Sequence, residues 1–228
     1  MRAICLTSNK YAHCLPPFLH LWQRFYGLPI TVAGYEVLPD GVETLSIGVQ
    51  ADYTWSGGVL KLLDLLDEDI ILLVLEDYFL SAPVDAAAIA ALTDLLRARS
   101  DVVKIDLSDD RLKTPHTRYG TYKGIPLVKS ADDALFQMST QAALWKTAFL
   151  RRFLDANDDA WQAEKLGTRR VIAAREAGEF AGVILGTERP PMVYVNAIGG
   201  MGNKPQQFDT KKFPAWMLEE LSQWVNQD

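Results

Sequence analysis

A chain of 228 residues that is 49% apolar and 23% charged has material for one sizeable core. No run of about 18 apolar residues occurs, so a membrane-spanning helix is not expected, and "MRAICLTSNK" at the N-terminus has neither the apolar stretch nor the cleavage site of an export signal. The net charge of −6, concentrated in the first hundred residues, argues against a whole-molecule field that draws nucleic acid; together these features predict a cytoplasmic protein without stable membrane insertion.

"RAICLTS" (2–8) has the pattern of a short buried strand. Pro16 and Pro17 suit the first turn of a helix over about 16–26, which Gly27 stops. "PITVAGY" (29–35) and "VETLSIG" (42–48) follow as strands, and "WSGGVLKLLDLLDED" (55–69) as an amphipathic helix capped by Ser56. "IILLVLE" (70–76) is apolar without alternation, the mark of a parallel strand buried on both faces. A helix over 83–100 and a strand over 101–108 complete a β-α-β-β-α-β-α-β order, which predicts an α/β layered domain on a mostly parallel sheet.

The second half is less regular. Residues 109–130 are polar, basic and punctuated by Gly and Pro, with no element assigned. Residues 136–145 are strand-like, 146–155 and 160–178 helical, 182–186 and 191–198 strands, and 214–225 a closing helix after the loop "GGMGNK" (199–204). No repeat or linker divides the chain. One domain over 1–228 is expected.

In open α/β sheets ligands sit outside the carboxyl ends of the strands. Glu76 and Asp77 follow the most apolar strand at that end, where a carboxylate can ligate Mg²⁺ or Mn²⁺ shared with phosphate oxygens, or simply close the strand against solvent. Thr7, Asn9 and Tyr11 lie after the first strand and Asp52 after the third. These could hold a nucleoside, with Asp52 on a base or ribose and Tyr11 stacking, or serve as ordinary loop residues. Neither a GxGxxG nor a P-loop pattern follows the first strand. Trp161 and Glu164 share a helix face, an arrangement that suits a general base beside an aromatic wall or a solvated helix start. Lys204 in the glycine-rich loop could reach a diphosphate. Cys5 and Cys14 form no CxxC pair and fit reduced core thiols.

The order "TSNKYAHCLPPFLHLW", "WSGG", "LLVLEDYFLSAPVD", "KIDLSDDR", "FQMSTQAALWKTAFL", "WQAEKLGT" and "VYVNAIGGMGNK" resembles bacterial and phage glycosyltransferases of the GT-A type over nearly the whole chain. The resemblance implies a single GT-A-like domain, Rossmann-like, with a mostly parallel central sheet flanked by helices, a nucleotide-binding half over 1–108 and an acceptor-side half over 109–228. It also implies a nucleotide-sugar donor, a UDP-sugar by frequency, in a site that includes Trp55.

By the same resemblance Asp77, with Glu76, stands where the family carries its Asp-x-Asp motif and would touch a divalent cation, Mn²⁺ or Mg²⁺. The pair is adjacent rather than spaced by one residue, which puts metal dependence in question. Glu164 would be the base of an inverting transfer to an acceptor hydroxyl beside Trp161. The acceptor could be a glycan, a small molecule or a hydroxymethylated base in DNA. DNA is suggested by the cations of 111–129 interleaved with aromatics, giving Arg118, Tyr119 and Tyr122 as acceptor contacts. A nucleotidyltransferase and a non-catalytic nucleotide-sugar-binding protein are the competing readings.

Overall fold

A computed structural model describes residues 1–198 and 207–225. In chain order the elements are β1 (Arg2–Leu6), α1 (Leu15–Phe25), β2 (Thr31–Gly34), β3 (Glu43–Ser46), α2 (Trp55–Asp64), β4 (Ile70–Leu75), β5 (Tyr78–Leu80), α3 (Ala86–Ala98) and β6 (Val102–Asp106). Then come β7 (His116–Tyr122), β8 (Ile125–Ser130), β9 (Ala143–Lys146), α4 (Thr147–Phe153), α5 (Ala160–Glu176), β10 (Val183–Thr187), β11 (Tyr194–Asn196), α6 (Ala215–Glu220) and α7 (Ser222–Val225).

Nine strands form one sheet in the order β3-β2-β1-β4-β9-β6-β10-β8-β7, and β11 pairs with β5 in a separate ribbon. Strands β9 and β8 run against the other seven, so the sheet is mostly parallel, as the apolar pattern predicts. β4 shows why it carries no polar alternation. Ile70, Leu72 and Val74 enter one core with α1 and α3, while Ile71 and Leu73 enter the other with α2, α4 and α5. Both faces are covered, so both sets of side chains must be apolar.

Local chemistry sets several boundaries that differ from the sequence expectation. The cap of α2 is Thr54, whose Oγ1 accepts from Gly57 N at 3.0 Å, and Ser56 is buried inside the first turn. That helix stops at Asp64 rather than running to 69, because the acids that follow oppose the negative end of the helix dipole. Residues 116–130 form a hairpin that the polar composition concealed. Its two-residue turn, Lys123-Gly124, has positive φ at both positions (47° and 83°), the geometry that suits the twist of paired strands.

The strand expected over 136–145 is confined to Ala143–Lys146. The carbonyls before it are taken by buried cations instead of a ladder. Lys104 Nζ donates to Ser139 O at 2.8 Å and Arg111 Nη2 to Phe136 O at 2.9 Å. Both cations pair with Asp106, at 2.8 and 2.7 Å, and all three side chains are fully buried. Among the described residues no helix is long and apolar enough to cross a membrane.

Candidate active site

A cleft of about 740 Å³ opens at the carboxyl ends of β1 and β4. The two strands are adjacent and parallel with Leu6 opposite Leu75, so Thr7-Ser8 and Glu76-Asp77 leave the sheet side by side. All four line the cleft, with Tyr11, Tyr35, Tyr53 and Trp55 as aromatic walls. The helix starts of α2 and α5 close another side, bringing Thr54, Asp159 and Trp161 to the rim. The two starts are fastened together: Thr54 Oγ1 donates to Ala156 O, and Ser56 N donates to Asp158 O at 3.1 Å.

Gly58 explains part of the "WSGG" motif. A Cβ there would overlap the Tyr35 hydroxyl, so glycine lets this cleft-lining ring pack against the start of α2.

The acid pair sets the electrostatics. Burial pushes the Glu76 carboxyl up to about 8, the Asp77 charge pushes it the same way, and hydrogen bonds from the Ser8 backbone and Thr7 side chain offset only part. Burial also raises Asp77, to about 6, against the opposing pull of Lys212. Lys212 lines the cleft and is held by Asp209 Oδ2 at 3.3 Å and by the carbonyls of Asn196 and Ile198 at 3.4 and 3.3 Å. Sequence reasoning missed this cation, because nothing local distinguishes it from the neighbouring Lys211. A buried carboxylate pair facing an open cleft is a place where a cation is favourable.

Two adjacent acids can contribute one oxygen or more each, and no group of three His, Cys, Asp or Glu suited to a metal occurs among the described residues. This donor set fits a Mg²⁺- or Mn²⁺-type ion that keeps most positions for phosphate oxygens and water. Asp77 and Glu76 would hold it.

The other expected site residues are distributed as follows. Asn9 braces the loops behind the cleft: its N donates to Gln50 Oε1 at 2.7 Å and its Nδ2 to Glu36 Oε2 at 2.6 Å. Asp52 lies exposed on the turn Gln50–Asp52, outside the lining. Lys204 lies outside the described residues. Glu164 does not line the cleft. It sits one turn beyond Trp161, and its Oε1 accepts from Thr140 N and Oγ1 at 2.7 and 2.8 Å. Asp159, at the α5 cap, is the carboxylate of this helix that does line it.

Arg118, Tyr119 and Tyr122 are not brought to the cleft. They lie on β7 at the sheet edge, five strand spacings from β4, or roughly 24 Å. The basic run around them forms no cationic groove either. Arg111 is buried against Asp106, and Lys113, Lys123 and Lys129 pair with Asp109, Asp94 and Asp132 at 2.7, 2.9 and 3.1 Å. Tyr119 accepts a hydrogen bond from Arg99. The run itself contains no acid: Asp106, Asp109 and Asp132 flank it closely in the chain, and Asp94 comes from α3, 29 residues before Lys123. Cys5 and Cys14 are buried free thiols, both raised by burial first and then by the Glu76 and Asp77 charges, so neither is poised to react.

No family model and no curated protein matches the chain. Solved structures do. The mannosyltransferase PcManGT from Pyrobaculum calidifontis, in complex with GDP-Man and Mn²⁺, aligns with TM-score 0.53 at 14% identity, over 88% of this chain and 57% of that one. TarS 1–349 from S. aureus in complex with UDP aligns with TM-score 0.50 at 14% identity, over 86% and 60%. A CMP:2-keto-3-deoxy-manno-octonic acid synthetase complexed with CTP aligns with TM-score 0.49 at 11% identity, over 86% and 92%. The chain spans under two thirds of the length of the first two. The first two likenesses show that the chain shares the α/β fold of the GT-A type.

Proposed function

We propose that this protein is a glycosyltransferase that moves a sugar from a nucleotide-diphosphate donor to an acceptor hydroxyl. The observation that carries the reading is the acid pair of an aromatic-walled cleft, buried Glu76 and half-buried Asp77, at the carboxyl ends of the central parallel strands. The nucleoside lies against Tyr11, Tyr53 and Trp55, and the diphosphate lies beside Asp77 and Lys212. A bound divalent cation would neutralise charge on the departing diphosphate. Lys212 contributes to the same end from the protein itself. That PcManGT was solved with GDP-Man and Mn²⁺, and TarS with UDP, supports a donor of this class on this fold.

In the transfer the acceptor oxygen bonds to the anomeric carbon. The carbon–oxygen bond to the diphosphate breaks, and its electron pair leaves with the nucleotide. Glu164 takes the acceptor proton, with inversion. Support for Glu164 is its orientation: Thr140 holds one carboxylate oxygen with two hydrogen bonds, as a positioned base requires. Asp159 is the second reading, favoured by its direct exposure to the cleft. Thermal shifts with UDP-, GDP-, CMP- and dTDP-sugars, with and without Mn²⁺, test the donor assignment. One nucleotide should raise Tm by several degrees at saturating concentration, and no stabilisation by any would overturn it.

A further inference from the structure

A second cavity, of about 300 Å³, adjoins the cleft. We propose that it is the acceptor subsite, and that it takes a single uncharged sugar ring whose reacting hydroxyl faces the main cleft. The proposal rests on the glycosyltransferase reading above and adds the acceptor's location and chemical class.

Continuity is the first argument. Asn196 lines both cavities. It lies opposite Tyr78 in the β5–β11 ladder, and Tyr78 directly follows Asp77. The shared wall residue is therefore one ladder pair and one chain step from Asp77. Gln141, in the second cavity's wall, directly follows Thr140, which holds Glu164. Glu164 is thus held by the residue that precedes this wall position.

The wall is built and rigid. Tyr194 Oη donates to Gln141 Oε1 at 2.7 Å and accepts from Ala142 N at 3.1 Å. Tyr78 stacks on Tyr194 with centroids 4.7 Å apart, and its hydroxyl donates to Thr140 O at 3.1 Å. The polar groups that face a ligand are held before it arrives, which lowers the ordering cost of binding.

The chemistry of the lining selects the class. Asn196 offers an exposed amide, Val193 a half-exposed apolar surface, and behind them lie Met192 and the Ser108 hydroxyl, which accepts from Asp110 N at 3.3 Å. A sugar ring has the matching pair of features, a hydroxyl edge and a C–H face. The cavity's two charged side chains, Asp109 and Lys113, cancel by pairing at 2.7 Å. A nucleic-acid phosphate would find no free cation there. The volume lies at the lower end for small-molecule sites and suits one ring rather than an oligosaccharide.

The test is amide chemical-shift mapping of the full chain saturated with the diphosphate nucleotide (UDP, GDP or dTDP) that binds. The probes are methyl β-D-glucopyranoside, methyl β-D-galactopyranoside and methyl α-D-mannopyranoside, with a short single-stranded oligonucleotide as comparator. At least one glycoside should shift Gln141, Val193 and Asn196, and the oligonucleotide should shift none of them. Val193 is half-exposed, so Val193→Trp can fill the cavity mouth without burying a new ring in the core. It should weaken the glycoside response by at least about tenfold and keep the nucleotide response at Tyr11 and Trp55. Nucleotide shifts without any glycoside shift at these amides, or glycoside shifts that survive Val193→Trp, would overturn the acceptor assignment alone. Absence of nucleotide shifts would overturn the donor reading and the subsite with it. Shifts by the oligonucleotide at Gln141 and Asn196 would overturn the sugar class.

Discussion

Glu76 should make the metal-free protein less stable as pH rises. Its carboxyl is 6% exposed and lifted from 4.5 to about 8, by burial first and the Asp77 charge second. Below pH 4.5 the group is protonated in both folded and unfolded chains and carries no penalty. Between 4.5 and about 8 the unfolded chain ionises while the folded one does not, so stability falls with pH; above that range both are ionised and the loss levels off. At about 1.4 kcal/mol per pH unit, the ceiling is roughly 5 kcal/mol. Asp77, raised to about 6, adds a smaller loss of the same sign between 3.8 and about 6.

Glu76→Gln keeps the shape and removes the ionisation. In EDTA, wild type and variant should melt together near pH 4.5 and diverge toward pH 8.5, with the variant higher by on the order of 10 °C. Mn²⁺ at pH 8.5 should recover part of the gap in the wild type, because a cation beside the pair favours the ionised form. Melting curves that stay parallel across this pH range would refute the reasoning.

Gly58→Ala gains about 1 kcal/mol of helix propensity but displaces the cleft-lining Tyr35 at about 1–3 kcal/mol, so Tm should fall by no more than several degrees while nucleotide Kd rises several-fold; an unchanged Kd by calorimetry would contradict this. Glu164→Gln should cut kcat by about 10²- to 10⁴-fold with donor Kd unaltered, whereas Asp159→Asn, which still caps α5, should do neither; the reverse ranking in a donor-consumption assay would move the base to Asp159. Asp106→Asn leaves two buried cations short of their carboxylate and should lower stability to urea by about 3–5 kcal/mol; a loss below about 1 kcal/mol would show that the network is not stabilising.

The sheet centre was legible in the sequence because burial on both faces leaves a compositional mark. β4 could be nothing but apolar, and its end delivered Glu76 and Asp77 to the cleft as expected. Trp55 and Trp161 line the cleft for a similar reason, since each lies in the first turn of a helix whose start faces that end of the sheet. Residues brought in from distant segments could not be read. Lys212 reaches the cleft through carbonyls of the Asn196–Ile198 segment, and no spacing in the sequence encodes that contact. The run 111–129 contains cations and no acid, and the acids that pair with four of them lie just outside it or on α3, so a largely neutralised hairpin had the composition of a basic groove. Asn9 has the chemistry of a ligand contact and is spent on bracing loops.

The most direct test is a crystal structure with the nucleotide diphosphate that the stability panel selects. The account predicts its diphosphate beside Asp77 and Lys212 and its base among Tyr11, Tyr53 and Trp55. A nucleotide bound at the β7–β8 edge, or one in the cleft with its diphosphate turned away from the acid pair, would contradict it.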